Sequence, residues 1–172
     1  MKRIGLMVAG IFCWLMGSAQ LSTKENADLD KLIDSHVKLE VEELTSSRLK
    51  LMLEGQFFKV KRTPLFKSHG GYTDDVLIKF DGELWKLDDP NLLVDRFRAN
   101  YLIKEKSDAL KLQKVLSLLF DDAPSQDQAL VQKGNTWLMV QREWFGEKQG
   151  YIVTTDDSGQ VKEINYTDQI KL

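Results

Sequence analysis

Cysteine is almost missing from this chain: one residue in 172, Cys13. It lies inside the unbroken apolar run Ile4 to Met16, which follows Met1-Lys2-Arg3 and leads into Gly17-Ser18-Ala19-Gln20. Two cations, an apolar stretch of about 13 residues and small residues at Gly17 and Ala19 are the parts of a secretory signal peptide with its A-x-A-like cleavage site. Residues 1–19 are therefore expected to be removed between Ala19 and Gln20, and Cys13 goes with them. A mature chain without thiols excludes cysteine nucleophiles, cysteine zinc sites, disulfides and thiol redox chemistry. Lipid attachment is excluded as well, because a lipoprotein cysteine stands at the cleavage point and Cys13 instead follows Ile11-Phe12.

Long apolar runs are equally scarce. As a helix, Ile4 to Met16 covers roughly 20 Å of a hydrocarbon core about 30 Å thick, and no second such stretch follows, so no permanent transmembrane anchor is expected. An excess of one charge is lacking too. The formal net charge is -2, and losing Lys2 and Arg3 with the leader moves it to -4, which offers no basic face for phosphates and argues against nucleic acid as a partner. Histidine is limited to His36 and His69, neither with a carboxylate at metal-ligand spacing. No HExxH and no Gly-x-Ser-x-Gly occurs. Neither a metal site nor a cofactor is expected, and no hydrolase nucleophile is visible.

What is present is secondary-structure patterning for one α+β domain over residues 20–172. From Asp28, the residues Leu29, Leu32, Ile33, Val37, Val41 and Leu44 recur at three- and four-residue steps and predict an amphipathic helix lying on a sheet. Two later segments resemble each other: Leu51 to Val60 around Glu54-Gly55, and Ile78 to Leu87 around Asp81-Gly82. Asp-Gly between alternating apolar residues predicts a two-residue type I′ hairpin that sets Ile78 opposite Trp85 and Val76 opposite Leu87. The same operation across Glu54-Gly55 sets Leu51 opposite Phe58 and Leu49 opposite Val60. A helix running through Met52, with Gly55 just past its end, fits those residues nearly as well. Asp89-Pro90 opens a short helix through Leu92, Leu93 and Phe97. Ser107 is expected to cap a longer one carrying Ala109, Leu112, Val115, Leu116, Leu119 and Phe120. Strands are then predicted over 136–145, 151–155 and 161–166, the last two joined by a turn at Asp156-Asp157-Ser158-Gly159. The fold expected is an antiparallel β-meander sheet with an N-terminal helix and a central helix packed on it. That layout resembles cystatin-like and NTF2-like rolls, a likeness of architecture that carries no function.

Candidate functional residues are few. His69 and Tyr72 share a glycine-rich loop with Gly70 and Gly71, where an imidazole is free to meet a ligand. Trp137 and Trp144 stand seven apart on one predicted strand, an odd separation that sends them to opposite faces, and Phe145 extends the second into an aromatic platform. The acid pairs Asp74-Asp75, Asp88-Asp89, Asp121-Asp122 and Asp156-Asp157 all sit at turns, caps or helix ends, where carboxylates serve local hydrogen bonding. The expectation is an exported, periplasmic or secreted, non-enzymatic binding or accessory protein of the cell envelope. His69, Tyr72, Trp144 and Phe145 would hold an envelope protein, peptide or glycan. The alternatives are a carboxylate-dependent hydrolase acting on an envelope polymer, which needs two acids from separate turns in one pocket, and a self-associating structural protein whose two-sided apolar strand forms a homodimer.

Overall fold

Alternating apolar and polar residues, punctuated by turn glycines, fold into two four-stranded antiparallel meanders in a computed structural model that describes residues 37–64, 74–120, 129–144 and 146–171. The first meander holds β1 (Val37–Glu43), β2 (Gln56–Pro64), β3 (Asp75–Phe80) and β4 (Glu83–Lys86). The second holds β5 (Leu130–Lys133), β6 (Thr136–Trp144), β7 (Glu147–Thr155) and β8 (Val161–Thr167). Helix α1 (Ser47–Met52) lies between β1 and β2 in the chain, a 3-10 helix (Pro90–Arg96) follows β4, and helix α2 (Lys106–Phe120) precedes the second meander. The class is the α+β antiparallel meander read from the sequence, drawn as two sheets instead of one. Among the described residues, no helix is long and apolar enough to cross a membrane.

The two segments built on a glycine turn part company. Asp81 (φ 50°) and Gly82 (φ 81°) both take positive φ, as a type I′ turn demands, and Ile78 faces Trp85 as expected. The register carries on to Leu87, whose N–H donates to the Val76 carbonyl at 2.8 Å. Glu54-Gly55 forms no such hairpin. Residues 47–52 are helical, so the helix reading holds: Leu49 and Met52, three apart, are buried while Leu51 is 70% exposed. β2 lies between β1 and β3, and its pairing with β1 places Val41 opposite Val60 and Glu43 opposite Phe58.

That pairing also overturns the expected helix over Val37, Val41 and Leu44. Val37 to Glu42 alternates apolar and charged residues, so it satisfies a period of two as well as a helical stripe, and β-branched valines with a waiting partner strand decide the outcome. The earlier part of that stripe, residues 28–36, lies outside the described residues. Helix α2 opens at Lys106, one residue before the expected cap Ser107. It is Asp108 that reaches back, accepting from the Lys104 N–H at 3.3 Å. Asp89 does cap the 3-10 helix as expected, accepting from the Asn91 N–H at 2.8 Å.

One core joins everything. Phe57, Val76 and Ile78 from the first sheet meet Trp137, Met139, Tyr151, Val153 and Ile164 from the second. The helices fill the space between with Leu49, Met52, Leu112, Val115, Leu116 and Leu119. Each sheet has a second apolar face. On the first it is Phe58, Val60 and Leu77, with Val41 and Leu84 packed at the margin. On the second, Leu138 and Val140 are closed by Ile170, whose N–H donates to the Lys148 carbonyl at 2.6 Å.

β6 carries a bulge. Val140 pairs with Gly150 but Arg142 with Gln149, leaving Gln141 as the extra residue. The bulge shifts the alternation by one, so the face parity of a regular strand does not carry past Gln141. Gly150 is obligatory opposite it, because a Cβ there would come within 2.0 Å of the Met139 carbonyl oxygen.

Candidate binding cleft

Where the two meanders open at the C-terminal end of α2, a cleft of about 700 Å³ remains. Its first wall follows from strand register. Lys59 on β2 stands beside Val76 on β3, and Lys86 pairs with Leu77, two residues from Asp75, which makes Asp75 and Lys86 diagonal neighbours. The Lys86 ammonium lies 3.0 Å from Asp75, a carboxylate only 8% exposed, and Lys59 lies 2.9 Å from Asp74. Asp88 and Pro90 continue the wall past the end of β4.

The opposite wall is aromatic. Tyr151 and Tyr166 are cross-strand partners on β7 and β8, packed edge to face with centroids 5.5 Å apart. Phe120, the last residue of α2, tilts against Tyr151 at 6.1 Å. Tyr151 is buried and Tyr166 is 49% exposed, so the pair presents one anchored ring and one ring open to the cleft. Arg142 and Gln141, from the bulge, complete the lining.

Behind this wall a buried polar network holds α2 to the bulge. The Gln113 amide donates to the Val140 carbonyl at 2.8 Å, and the Gln141 amide donates to the Gln113 carbonyl at 3.3 Å. The Ser117 hydroxyl sits between the Gln113 carbonyl and Gln141 Oε1. Among the described residues, Gln113 Oε1 is the one buried side-chain polar atom with no hydrogen-bond partner. A bulged Gln held this way positions its neighbour Arg142 at the rim, an example of a bulge re-aiming a side chain beside a site.

The cleft lining therefore combines three cations (Lys59, Lys86, Arg142), three carboxylates (Asp74, Asp75, Asp88) and three aromatic rings. Its formal charge is balanced. Such a surface offers many hydrogen-bonding edges, selects weakly for ligand charge, and has a flat apolar side for stacking.

The residues named from the sequence fare differently. His69 and Tyr72 lie outside the described residues, in the segment leading into Asp74, itself a cleft residue. Phe145 also lies outside them. Trp144 is described by its backbone, which pairs with Glu147 at the end of β6. Of the acid pairs, Asp74-Asp75 and Asp88 converge on the cleft, and Asp89 is a cap. Asp156-Asp157 forms the β7–β8 turn, where Asp156 Oδ1 accepts from the Ser158 hydroxyl and from the Ser158 and Gln160 N–H groups, holding this carboxyl well below the usual range. Asp121-Asp122 lies outside the described residues. Sequence reasoning missed Lys59, Lys86, Arg142 and Tyr166. The register of the Asp81-Gly82 hairpin already placed Lys86 diagonal to Asp75, a signal that was available; the bulge that sets Arg142 was not.

Among the described residues, no three His, Cys, Asp or Glu side chains gather as a metal site. No family model, curated protein or solved structure matches the chain.

Proposed function

We propose that this chain is a non-enzymatic binding protein of the cell envelope, exported by residues 1–19, whose cleft holds a polar peptide or glycan segment. The observation that carries this reading is Tyr166, half open to water inside a concave, charge-balanced site and braced from behind by Tyr151. A rigid ring costs little conformational entropy to present, and a sugar or peptide plane laid on it gains contact area while the ion pairs beside it offer donors and acceptors. Export and the aromatic rim agree with each other, since peptides and glycans are the polymers met outside the cytosol.

The test is a titration of the mature chain with soluble peptidoglycan fragments and with unmodified peptides, followed by NMR. One class should shift resonances of Tyr151 and Tyr166, and Tyr166→Ala should weaken binding by about tenfold, the ~1.4 kcal/mol of a single aromatic contact. Because Tyr166 is so exposed, its loss should leave the melting temperature nearly unchanged. A Tyr166→Ala protein that binds as well as its parent would remove the reading.

One observation favours a hydrolase as the second reading: Asp75 and Asp88 reach the same cleft from opposite sides of the β3–β4 hairpin. Against it, Asp75 and Asp74 are each already engaged by a lysine. Release of fragments from peptidoglycan that disappears in Asp88→Asn would decide for the enzyme. Self-association loses its motive on β6, whose second face is closed from within the chain by Ile170.

A further inference from the structure

The hairpin ladder fixes which backbone groups of β4 face outward. The Leu87 N–H donates to the Val76 carbonyl at 2.8 Å, and hydrogen-bonded pairs alternate along an antiparallel ladder. Trp85 with Ile78, and Glu83 with Phe80, therefore bond inward. The N–H and C=O groups of Leu84 and Lys86 point away from β3, on a strand that ends its sheet. Among the described residues, no backbone group outside the hairpin bonds to these four. Two other edges are guarded. β1 is studded with Lys38, Glu40 and Glu42, and on β8 the Ile164 N–H donates to Asn91 Oδ1 at 3.1 Å. β4 instead carries Trp85, 49% exposed beside buried Ile78. It also runs into the cleft, which Lys86, Leu87 and Asp88 line.

We propose that the ligand of the cleft is an extended peptide segment of another protein, added to the open edge of β4 as a further strand, with an apolar residue against Trp85 and its chain continuing into the cleft. The added strand presupposes the cleft as a binding site and narrows its ligand from peptide or glycan to peptide. Leu84 and Lys86 offer two donors and two acceptors at a strand repeat of ~7 Å, a ladder that a polypeptide backbone matches and a sugar does not. Trp85, between them, takes the non-hydrogen-bonded position of the new pair, where facing side chains come closest. A β-branched or aromatic residue there covers the indole. A lysine on an edge ordinarily deters a strand, but Lys86 is paired with Asp75 at 3.0 Å.

The test selects hexapeptides from a phage-displayed random library on the protein as exported, then synthesises the selected sequence with a single N-methyl group moved along its backbone. Methylation at every second residue should weaken binding by about tenfold or more, and methylation between them should change little, because alternate N–H groups face β4. The bound peptide should shift the amide resonances of Leu84, Trp85 and Lys86, and Trp85→Ser should weaken it by about tenfold. Lys86→Ala and Lys86→Pro both lose the ammonium, but only proline loses the outward N–H, so the proline variant should bind about tenfold more weakly than the alanine one. The N-methyl scan alters the peptide alone and stands whatever the variants do to folding. Losses without alternation, a selection that yields no peptide, or β4 shifts that appear with rising protein concentration and no peptide would overturn the proposal. Shifts at Tyr151 and Tyr166 with none in β4 would overturn the added strand and leave the cleft as a binding site; absence of both sets would take the cleft with it.

Discussion

The two meanders have the same number of strands, but the chain closes them by different means. In the second, β5 and β6 are joined by Gly134-Asn135 alone, with Gly134 at φ 59° as a two-residue II′ turn requires, and β7 and β8 by the compact Asp156 turn. Its outer face is sealed by Ile170, from the segment just after β8. In the first, only β3 and β4 share a tight turn; β1 and β2 are separated by α1, and β2 and β3 by residues 65–74. Its outer face is the more deeply buried of the two although no described element seals it. One sheet is organised by local turns, the other by distant contacts.

If that contrast is right, cavities in the two outer faces should not cost the same. Leu77→Ala should lower unfolding free energy by about 4 kcal/mol and Leu138→Ala, in the shallower cluster under Ile170, by about 2 kcal/mol, both read from urea titrations. Equal losses would mean the faces are covered alike. Next in size is Gly150→Ala, whose added carbon meets the Met139 carbonyl of the neighbouring strand, a backbone clash that no rotamer relieves. A loss of about 3 kcal/mol is expected, with β6 separating from β7 at the bulge. Gly146, at φ 82° with nothing near its missing Cβ, is the control: its alanine variant should lose only about 1 kcal/mol.

The same contrast explains what the sequence revealed. The β3–β4 hairpin, the Asp89 cap and the β7–β8 turn were legible because each is decided within a few residues by a side chain or a positive φ. Val37 to Glu43 was misread as helix and Ser47 to Met52 was left between strand and helix, since both patterns fit two periods and distant partners made the choice. β5 was overlooked because four residues carry too short a pattern, although the Gly134 turn beside it marked the place. Of the cleft, the first wall follows from a readable register. The second depends on the bulge at Gln141, which arises from the fit between α2 and β6 and leaves no local trace.

The smallest expected effect isolates a local turn from the tertiary contacts around it. The Asp156 side chain is only 34% exposed, and hydrogen bonds from the Ser158 hydroxyl and the Gln160 N–H hold its carboxyl below the ordinary range, with Lys162 3.1 Å away. A carboxyl whose folded pKa lies below its unfolded value, about 3.9, contributes stability that is fully present above that value and is lost as pH falls through the folded one. Asp156→Asn keeps an oxygen to accept the same donors but removes the charge. The variant should therefore have a slightly lower urea midpoint than its parent at pH 7, and the gap should close as pH drops below about 4. A gap that stays constant to the acid limit would mean that the turn uses the geometry of the acceptor and not its charge. The register of the second meander would then rest on Gly159, whose missing Cβ lets the turn sit against Ile103, with the Ile103 N–H donating to the Gly159 carbonyl at 2.8 Å.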